Sequence, residues 1–567
     1  MSKLIVPKDV SGEIMSSDEG LSFWGGVDPE TSRVIDVHHP WHGRALAGKL
    51  VLMPTSRGSC SGSGVLLQLA LNGKAPAALI FSSAEEVLTL GAVIAARLFD
   101  RLLAVVQLSP PDFAAVAKAP TAVIAGQILE ADGVQYKLQT LSFDELDVSP
   151  SDQKCLARDP KDPQRLALDV VCTMAVAQGA ARLTDVSRGH IDGCILAHDA
   201  NLIFAEQMDA LGAKVRIPTT INAISVDREA CTDPGYPGDF RQKASRLADA
   251  YVRMGARPTF TCAPYFLSDV PQLGERIGWS ESNAVIFANS VLGARTAKLP
   301  DYLDLFVAMT GRAPDGGMYD TDHRRPALII DVATPTKHDH SLWPLIGWIA
   351  GRLSAEKVPL LRGLAHLQPT QDDLRALCAA FGTTAGAPML HVAGVTPEAA
   401  FAPVEGAGHL SITLADVLAA WQSLNAGPAQ VDLVAIGSPH ASYDEMVQFA
   451  DMLGVRPRHP NTEVIVTVGR QVLAKARDAG VIQRLEALGV KVIPDLCWCS
   501  ITEPVFPTAA RNLMTNSGKY AHYAPGLSGR TVRFGSLRDC AETAVTGTAP
   551  KHPPSWLCPI GPGDTQA

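Results

Sequence analysis

This chain has no surplus of basic residues. Its formal charge is -9 and its pI near 5.9, which excludes the basic stripe of a general nucleic-acid binder. Long apolar runs are missing as well. The most hydrophobic stretch, SLWPLIGWIAG, is too short to cross a bilayer, and the opening MSKLIVPKDVSGEIM holds no apolar core of signal-peptide length. The expectation is a soluble, cytoplasmic protein with neither a membrane nor a nucleic acid as partner. The 11 cysteines are odd in number and irregularly spaced, which excludes a disulfide framework, and no double CxxC of the zinc type occurs. Neither GxxxxGK[ST] nor GxGxxG is present, so nucleotide binding has no support. Internal repeats and low-complexity tracts are absent too.

What is present is enough apolar residue for large cores: 47% hydrophobic and 19% charged over 567 residues, a length that implies two or more domains. The first, residues 1–147, reads as a small α/β unit. A buried strand over Lys49 to Pro54 leads through the loop TSRGSCSGSG into a helix from Val65 to Leu71. A turn at Asn72 and Gly73 then precedes a strand from Ala77 to Phe81, and a second helix and strand follow. The polar, proline-bearing DVSPSDQKCLARDPKDPQ reads as a linker. The second part, residues 148–567, alternates short β-branched strands with amphipathic helices, the pattern of mostly parallel sheets. Strands are predicted at Ala327 to Val332, Val431 to Gly437, Glu463 to Gly469 and Lys491 to Cys497. Ligands gather at the carboxyl ends of such strands. That rule predicts one crevice shared by Ser438 to His440, by Cys497 and Cys499, and by Cys262 after the short strand PTFT.

Several groups carry candidate chemistry. In PDLCWCS, Cys497 and Cys499 read as metal ligands or redox thiols in a reducing compartment, or as core residues. In RGSCSGSG, Ser63 stands at the helix start as an N-cap or an activated base. His190 and Asp192, with His198 and Asp199, suit metal ligation or proton transfer but match no zinc spacing. Thr219, Thr220 and Asn222 lie where a strand ends and suit a pocket lining. Glu281, Ser282, Asn283, Asn289, Ser290 and Arg295 make a helix too polar for a purely structural element, and a substrate-facing surface is the better explanation. Near the C-terminus, Lys519 after Asn516 and Ser517 suits a carboxylate clamp.

Together, SFWGGVDPET, RGSCSGSG, TFTCAPY, ESNAVIFANSVLGART, HVAGVTPEA, GSPHAS and TNSGKYAHYAP, in this order, resemble the aconitase X family over nearly the whole chain. The resemblance implies a small swivelling β/β/α domain fused to a large aconitase-like α/β catalytic domain. In this family the fused bacterial members dehydrate cis-3-hydroxy-L-proline, and archaeal members of two separate chains dehydrate phosphomevalonate. The implied substrate is therefore a small hydroxy amino acid. The implied cofactor is iron held by cysteines, a [2Fe–2S] cluster first, then [4Fe–4S] or a single iron. Cys262 and Cys497 carry over as ligands. Ser438 stands in GSPH where archaeal members have cysteine, which makes Cys499 the substitute third ligand. The resemblance further implies a swivelling-domain serine as the base, Ser63 by preference at its helix start and Ser59 as the alternative. His190 and Asp192 become the proton carriers, and Lys519, Asn516 and Ser517 the carboxylate clamp.

Overall fold

Runs such as Leu50–Met53 and Ala78–Phe81 are apolar and buried at every position, as parallel strands covered on both faces must be. They form the middle of a nine-stranded sheet in the computed structural model, which describes residues 2–57, 59–228 and 235–557. Val10–Ser16, Leu50–Met53, Ala78–Phe81 and Ala104–Gln107 run parallel in that order. Lys3–Val6 pairs antiparallel at one side, and the meander Thr121–Ala125, Ile128–Ala131 and Val134–Lys137 continues the other. The helices Gly62–Leu71 and Val87–Phe99 pack against each other, and Gly91 permits it: a Cβ there would lie 2.7 Å from the Ser63 carbonyl oxygen.

The chain divides into two compact units: Met1–Thr219 with Arg246–Arg257 and Leu299–Gly316, and Thr220–Ser245 with Pro258–Lys298 and Gly317–Ala567. The expected boundary after residue 147 falls inside the first unit. The segment expected as a linker is helical instead, over Pro150–Leu156 and Pro163–Gln178. Each of these helices begins with proline, whose missing N–H costs nothing there. Ser149 and Asp162 accept from the first free backbone N–H groups, so polar and proline content that signals a linker here encodes helix starts.

The second unit holds two parallel sheets. One runs His391–Val392, Pro359–Arg362, Leu328–Val332, Gly408–Ile412. The other runs Lys491–Pro494, Glu463–Val468, Leu433–Ala441, Asn512–Thr515, Thr531–Phe534. The four predicted strands are all present, with ends shifted by a few residues. PTFT is not a strand: Pro258 has no N–H to give a ladder, and Phe260 has a positive φ of 41°, which breaks the extended run. Among the described residues no helix is long and apolar enough to cross a membrane.

Part of the segment expected to face substrate is scaffold. Asn289 lies in a π-helical turn, Ala288–Leu292, buried, with its amide on the Thr296 and Pro388 carbonyls at 2.9 and 3.0 Å. Its oxygen accepts from Arg324, a fully buried guanidinium also bonded to Glu398 Oε2 at 2.6 Å and to the Met318 carbonyl at 3.2 Å. Ser290 gives its oxygen to the Leu390 N–H at 3.0 Å, and Arg295 reaches Glu398 at 3.4 Å. Removing one partner of a buried ion pair strands the other charge, at a cost of about 3–5 kcal/mol. Glu398→Ala is therefore expected to lower the unfolding free energy of the second unit, read from its urea transition, by that amount. A shift below about 1 kcal/mol would show that Arg324 finds water or another acceptor.

Candidate active site

The carboxyl end of strand Leu433–Ala441 builds the first constellation, within the second unit. The register of this strand against Glu463–Val468 shifts between Ile436 and Ala441, across Ser438, Pro439 and His440. That irregularity turns the His440 backbone N–H onto Cys262 Sγ at 3.3 Å. The imidazole is buried, and its Nε2 lies 2.6 Å from the Leu496 carbonyl while its Nδ1 lies 3.2 Å from Thr261 Oγ1. Burial depresses the His440 pKa to about 4, only partly opposed by the bond to Leu496, so the ring is neutral at physiological pH. A carbonyl cannot donate, so the ring proton sits on Nε2 and Nδ1 accepts from Thr261.

Cys262 and Cys497 are buried side by side against Ala223, and Cys499 packs on them. The thiols form a chain, Cys497 within hydrogen-bond reach of both Cys262 and Cys499. Contact with the neighbouring thiol, then burial, pushes Cys497 and Cys499 well above the ordinary thiol range. Loop geometry fixes this set. Cys497 opens a turn in which Ser500 bonds the Cys497 and Ile224 carbonyls, and Trp498 between the cysteines donates Nε1–H to the Ile436 carbonyl at 2.7 Å. Preceding it, Asp495 holds a positive φ of 69° and is gripped by Arg470 through two bonds of 2.6 Å. Nine cysteines lie among the described residues, all of them free thiols.

Beside the thiols stands a buried ion pair, Lys519 Nζ to Glu281 Oε1 at 2.7 Å. Burial works against the ammonium, but Glu281 and then the three thiols outweigh it and keep it charged. Burial likewise works to raise Glu281, and Lys519 with the Ala284 N–H and Asn283 amide outweighs that, so the carboxyl lies below its ordinary value. Asn283 bridges this pair to the Cys262 carbonyl at 3.1 Å and accepts from Tyr265 at 2.7 Å. Ser282 opens the same helix, half-buried. Ser517 caps helix Gly518–Ser528 and bonds the Ser438 carbonyl, while Asn516 gives its amide to Glu445 at 2.7 Å. The expected carboxylate clamp therefore already holds protein carboxylates: Lys519 has Glu281 and Asn516 has Glu445. Ser438 Oγ is buried with no hydrogen-bond partner among the described residues. Cys262 and Cys497, buried, and Cys499, half-buried, form a chain of thiols with a fixed cation beside it, and such soft, anionic donors fit iron–sulfur chemistry.

The second constellation lies in the first unit. Ser63 is fully buried, and its Oγ bonds the carbonyls of Cys60 at 3.0 Å and Asp301 at 3.2 Å. Ser59 is only half-buried, and its Oγ accepts from the Ser61 N–H at 3.3 Å. Gly58, the first glycine of this loop, lies outside the described residues. Cys60 Sγ and one carboxylate oxygen each of Asp192 and Asp301 lie within 4.8 Å of one another. The Asp192 N–H donates to Asp304 at 2.7 Å, and His190 is fully buried in strand Gly189–Ile191. Of this group the serines, His190 and Asp192 were legible as candidates. Asp301 gives no local signal, since 238 residues separate it from Ser63. Thr219 places its hydroxyl on the Ile217 carbonyl at 2.8 Å, and the Asn222 oxygen accepts from the Ala223 N–H at 2.7 Å; both are held locally by backbone.

Removing the Glu281 charge leaves Lys519 buried against nothing but thiols, so Glu281→Gln is expected to cost about 3–5 kcal/mol at pH 7. Because the native carboxyl is depressed below 4.5, that contribution is complete above pH 4.5 and is lost as pH falls through the lowered value. Unfolding of both proteins at pH 7 and pH 3.5 checks this; an equal gap at the two pH values would refute the pairing.

Comparison with known proteins places the whole chain in one family. Models of the aconitase X swivel domain, first domain, second domain and third domain match residues 1–131, 145–322, 326–422 and 431–546. Cis-3-hydroxy-L-proline dehydratase of Pseudomonas aeruginosa is 45% identical over 98% of each chain. The enzyme of that name from Hypocrea jecorina is 42% identical over 96% of this chain and 95% of its own. The phosphomevalonate dehydratase large subunit of Methanothermobacter thermautotrophicus is 32% identical over 64% of this chain and 90% of its own. The crystal structure of Thermococcus kodakaraensis aconitase X in its holo-form superposes with a TM-score of 0.64 at 28% identity, covering 70% of this chain and all of that one. The chain belongs to the aconitase X family.

Proposed function

We propose that this chain is a cytoplasmic hydro-lyase that removes water from cis-3-hydroxy-L-proline. What carries the reading is full-length similarity to dehydratases of that name, from a bacterium and a fungus, at 45% and 42% identity. The packing of half-buried Cys499 on the buried Cys262 and Cys497 supports it chemically. These three would hold an iron–sulfur cluster, [2Fe–2S] in our reading, and when bound it would supply Lewis-acid polarisation of the leaving hydroxyl.

The substrate's stereochemistry sets what the residues must do. Hydroxyl and carboxylate share one ring face, so the α-hydrogen points to the other. An anti elimination then needs a base on the face away from the leaving group. The Cα–H bond breaks, its electrons form the Cα–Cβ double bond, and hydroxide leaves to be protonated to water. The enamine tautomerises to Δ1-pyrroline-2-carboxylate, so no oxidant or reductant is consumed.

We assign the base to Ser59. A serine alkoxide between two carbonyl oxygens, the situation of Ser63, would be repelled by both lone-pair sets. Ser59 is more exposed and accepts a backbone N–H, which stabilises negative charge on its oxygen. Ser63 then acts as a clamp, joining the start of helix Gly62–Leu71 to the Asp301 carbonyl. His190 and Asp192 remain the proton carriers of this reading, and Lys519 supports it by holding positive charge beside the thiols. Thr219, Asn222, Ser282, Asn283, Asn516 and Ser517 complete the proposed substrate shell.

Incubating anaerobically purified protein with both 3-hydroxyproline epimers and with phosphomevalonate, followed by mass spectrometry, tests the substrate. Loss of 18 mass units from the cis epimer alone is expected; turnover of phosphomevalonate instead would overturn the assignment. The iron-to-sulfide ratio separates [2Fe–2S] from [4Fe–4S] and from a single iron. Ser59→Ala should lower kcat by roughly 10²–10⁴ with the iron absorption unchanged. Ser63→Ala should chiefly cost about 1 kcal/mol of stability. The reverse pattern would return the base to Ser63.

A further inference from the structure

Cys262 and Cys497 come from separate loops, and neither loop is part of a regular strand at the cysteine. Something must hold the two sulfurs in one arrangement. The residue before Cys262 is Thr261, and the residue before Cys497 is Leu496. One side chain bonds both: the His440 ring reaches Thr261 Oγ1 through Nδ1 at 3.2 Å and the Leu496 carbonyl through Nε2 at 2.6 Å. Its own backbone N–H adds a third bond, to Cys262 Sγ at 3.3 Å.

We propose that His440 is the positioning residue of the cysteine pocket, a rigid spacer that fixes the separation of the loops bearing Cys262 and Cys497. The inference rests on the iron–sulfur reading above.

Three further observations make the spacer stiff. Thr261 Oγ1 also accepts the Ala263 N–H at 3.1 Å, so the loop closes around its own bond to the histidine. Glycine at 469 leaves no slack behind Thr261, since a Cβ there would lie 2.9 Å from that hydroxyl. On the strand side, the His440 carbonyl accepts from Arg375 at 2.7 Å, and the guanidinium is itself paired with Glu445 at 2.7 Å. The ring is thus held from its backbone and holds two loops by its edges. A planar ring with a donor and an acceptor on opposite edges does this with one rotamer. Glutamine places its amide near the Nε2 position and asparagine near the Nδ1 position, so each replacement retains one tether only.

The test uses the full chain, reconstituted anaerobically with iron and sulfide, as wild type, His440→Ala, His440→Gln, His440→Asn and Thr261→Val. The readouts are iron and sulfide content, the absorption and electron-paramagnetic-resonance signature, the rate of iron release to a chelator, and the melting temperature of each metal-free form. Partners that orient metal ligands are worth about 10- to 100-fold in metal affinity. His440→Ala is expected to release iron faster by that factor and to broaden the spectroscopic signature. His440→Gln, His440→Asn and Thr261→Val should fall between it and the wild type. Glu398→Ala is the control for mere destabilisation, since its ion pair makes no bond to the cysteine loops. If Glu398→Ala sheds iron as fast as His440→Ala at matched melting temperature, the positioning role is refuted. Wild-type release kinetics and signature in His440→Ala refute it as well. A wild-type protein that assembles no iron–sulfur signal would overturn the underlying reading, and this inference with it.

Discussion

A cation buried beside three thiols constrains the cysteine pocket of the second unit. Lys519 is nearly inaccessible, and an isolated ammonium in such a place would shed its proton or pull the fold open. Glu281 prevents both, and it is itself placed by a helix start, accepting the Ala284 N–H at 2.9 Å as N-cap of Ser282–Phe287. The pair is nearly neutral overall, so it can lie in the core. Its ammonium end still faces the sulfurs closely enough to feel them. Thiolates, which burial alone disfavours, gain a fixed positive neighbour that no solvent screening weakens. The polar side chains around Cys262 follow from this requirement: Asn283 ties the pair to the cysteine's own carbonyl, and Tyr265 ties Asn283.

How far the sequence discloses this can be judged residue by residue. The parallel sheet was legible because its strands are short, β-branched and buried along their length, a pattern that needs no knowledge of neighbours. That Cys497 and Cys262 lie side by side was legible from the rule that ligands gather past strand ends, even though PTFT is itself irregular. The polar run from Glu281 was read correctly as unusual, but its parts diverge: Glu281 and Asn283 serve the cysteine pocket while Asn289 satisfies Arg324. Sequence chemistry is the same in both cases, and only tertiary placement separates them. Ser63 shows the opposite case. Its position at a helix start argues for an activated hydroxyl, and nothing local reveals that a carbonyl from residue 301 comes to occupy it. His440 was visible as part of a strand-end motif, but its two tethers, 179 and 56 residues distant, could not be inferred from spacing.

The proposed base and the cysteine pocket arise in different compact units, and elementary chemistry gives this division a purpose. A serine oxygen basic enough to take an α-proton is also a good ligand for a Lewis acid and a good acceptor for a buried ammonium. A base built next to such groups would be neutralised by them. Carried on its own scaffold, the serine is set up by its own loop alone. The serine loop is constructed accordingly. Ser59 is held only within its own loop, accepting the Ser61 N–H at 3.3 Å and donating to Ser61 Oγ at 3.4 Å, while Ser63 four residues on is fixed by two carbonyls and anchors the helix beneath it. The loop thus joins a rigid foot at Ser63 to the proposed base at Ser59. The cysteine pocket obeys the opposite rule, because ligand sulfurs must be fixed before an ion can select them. There the histidine, the threonine and the glycine behind it leave no comparable freedom.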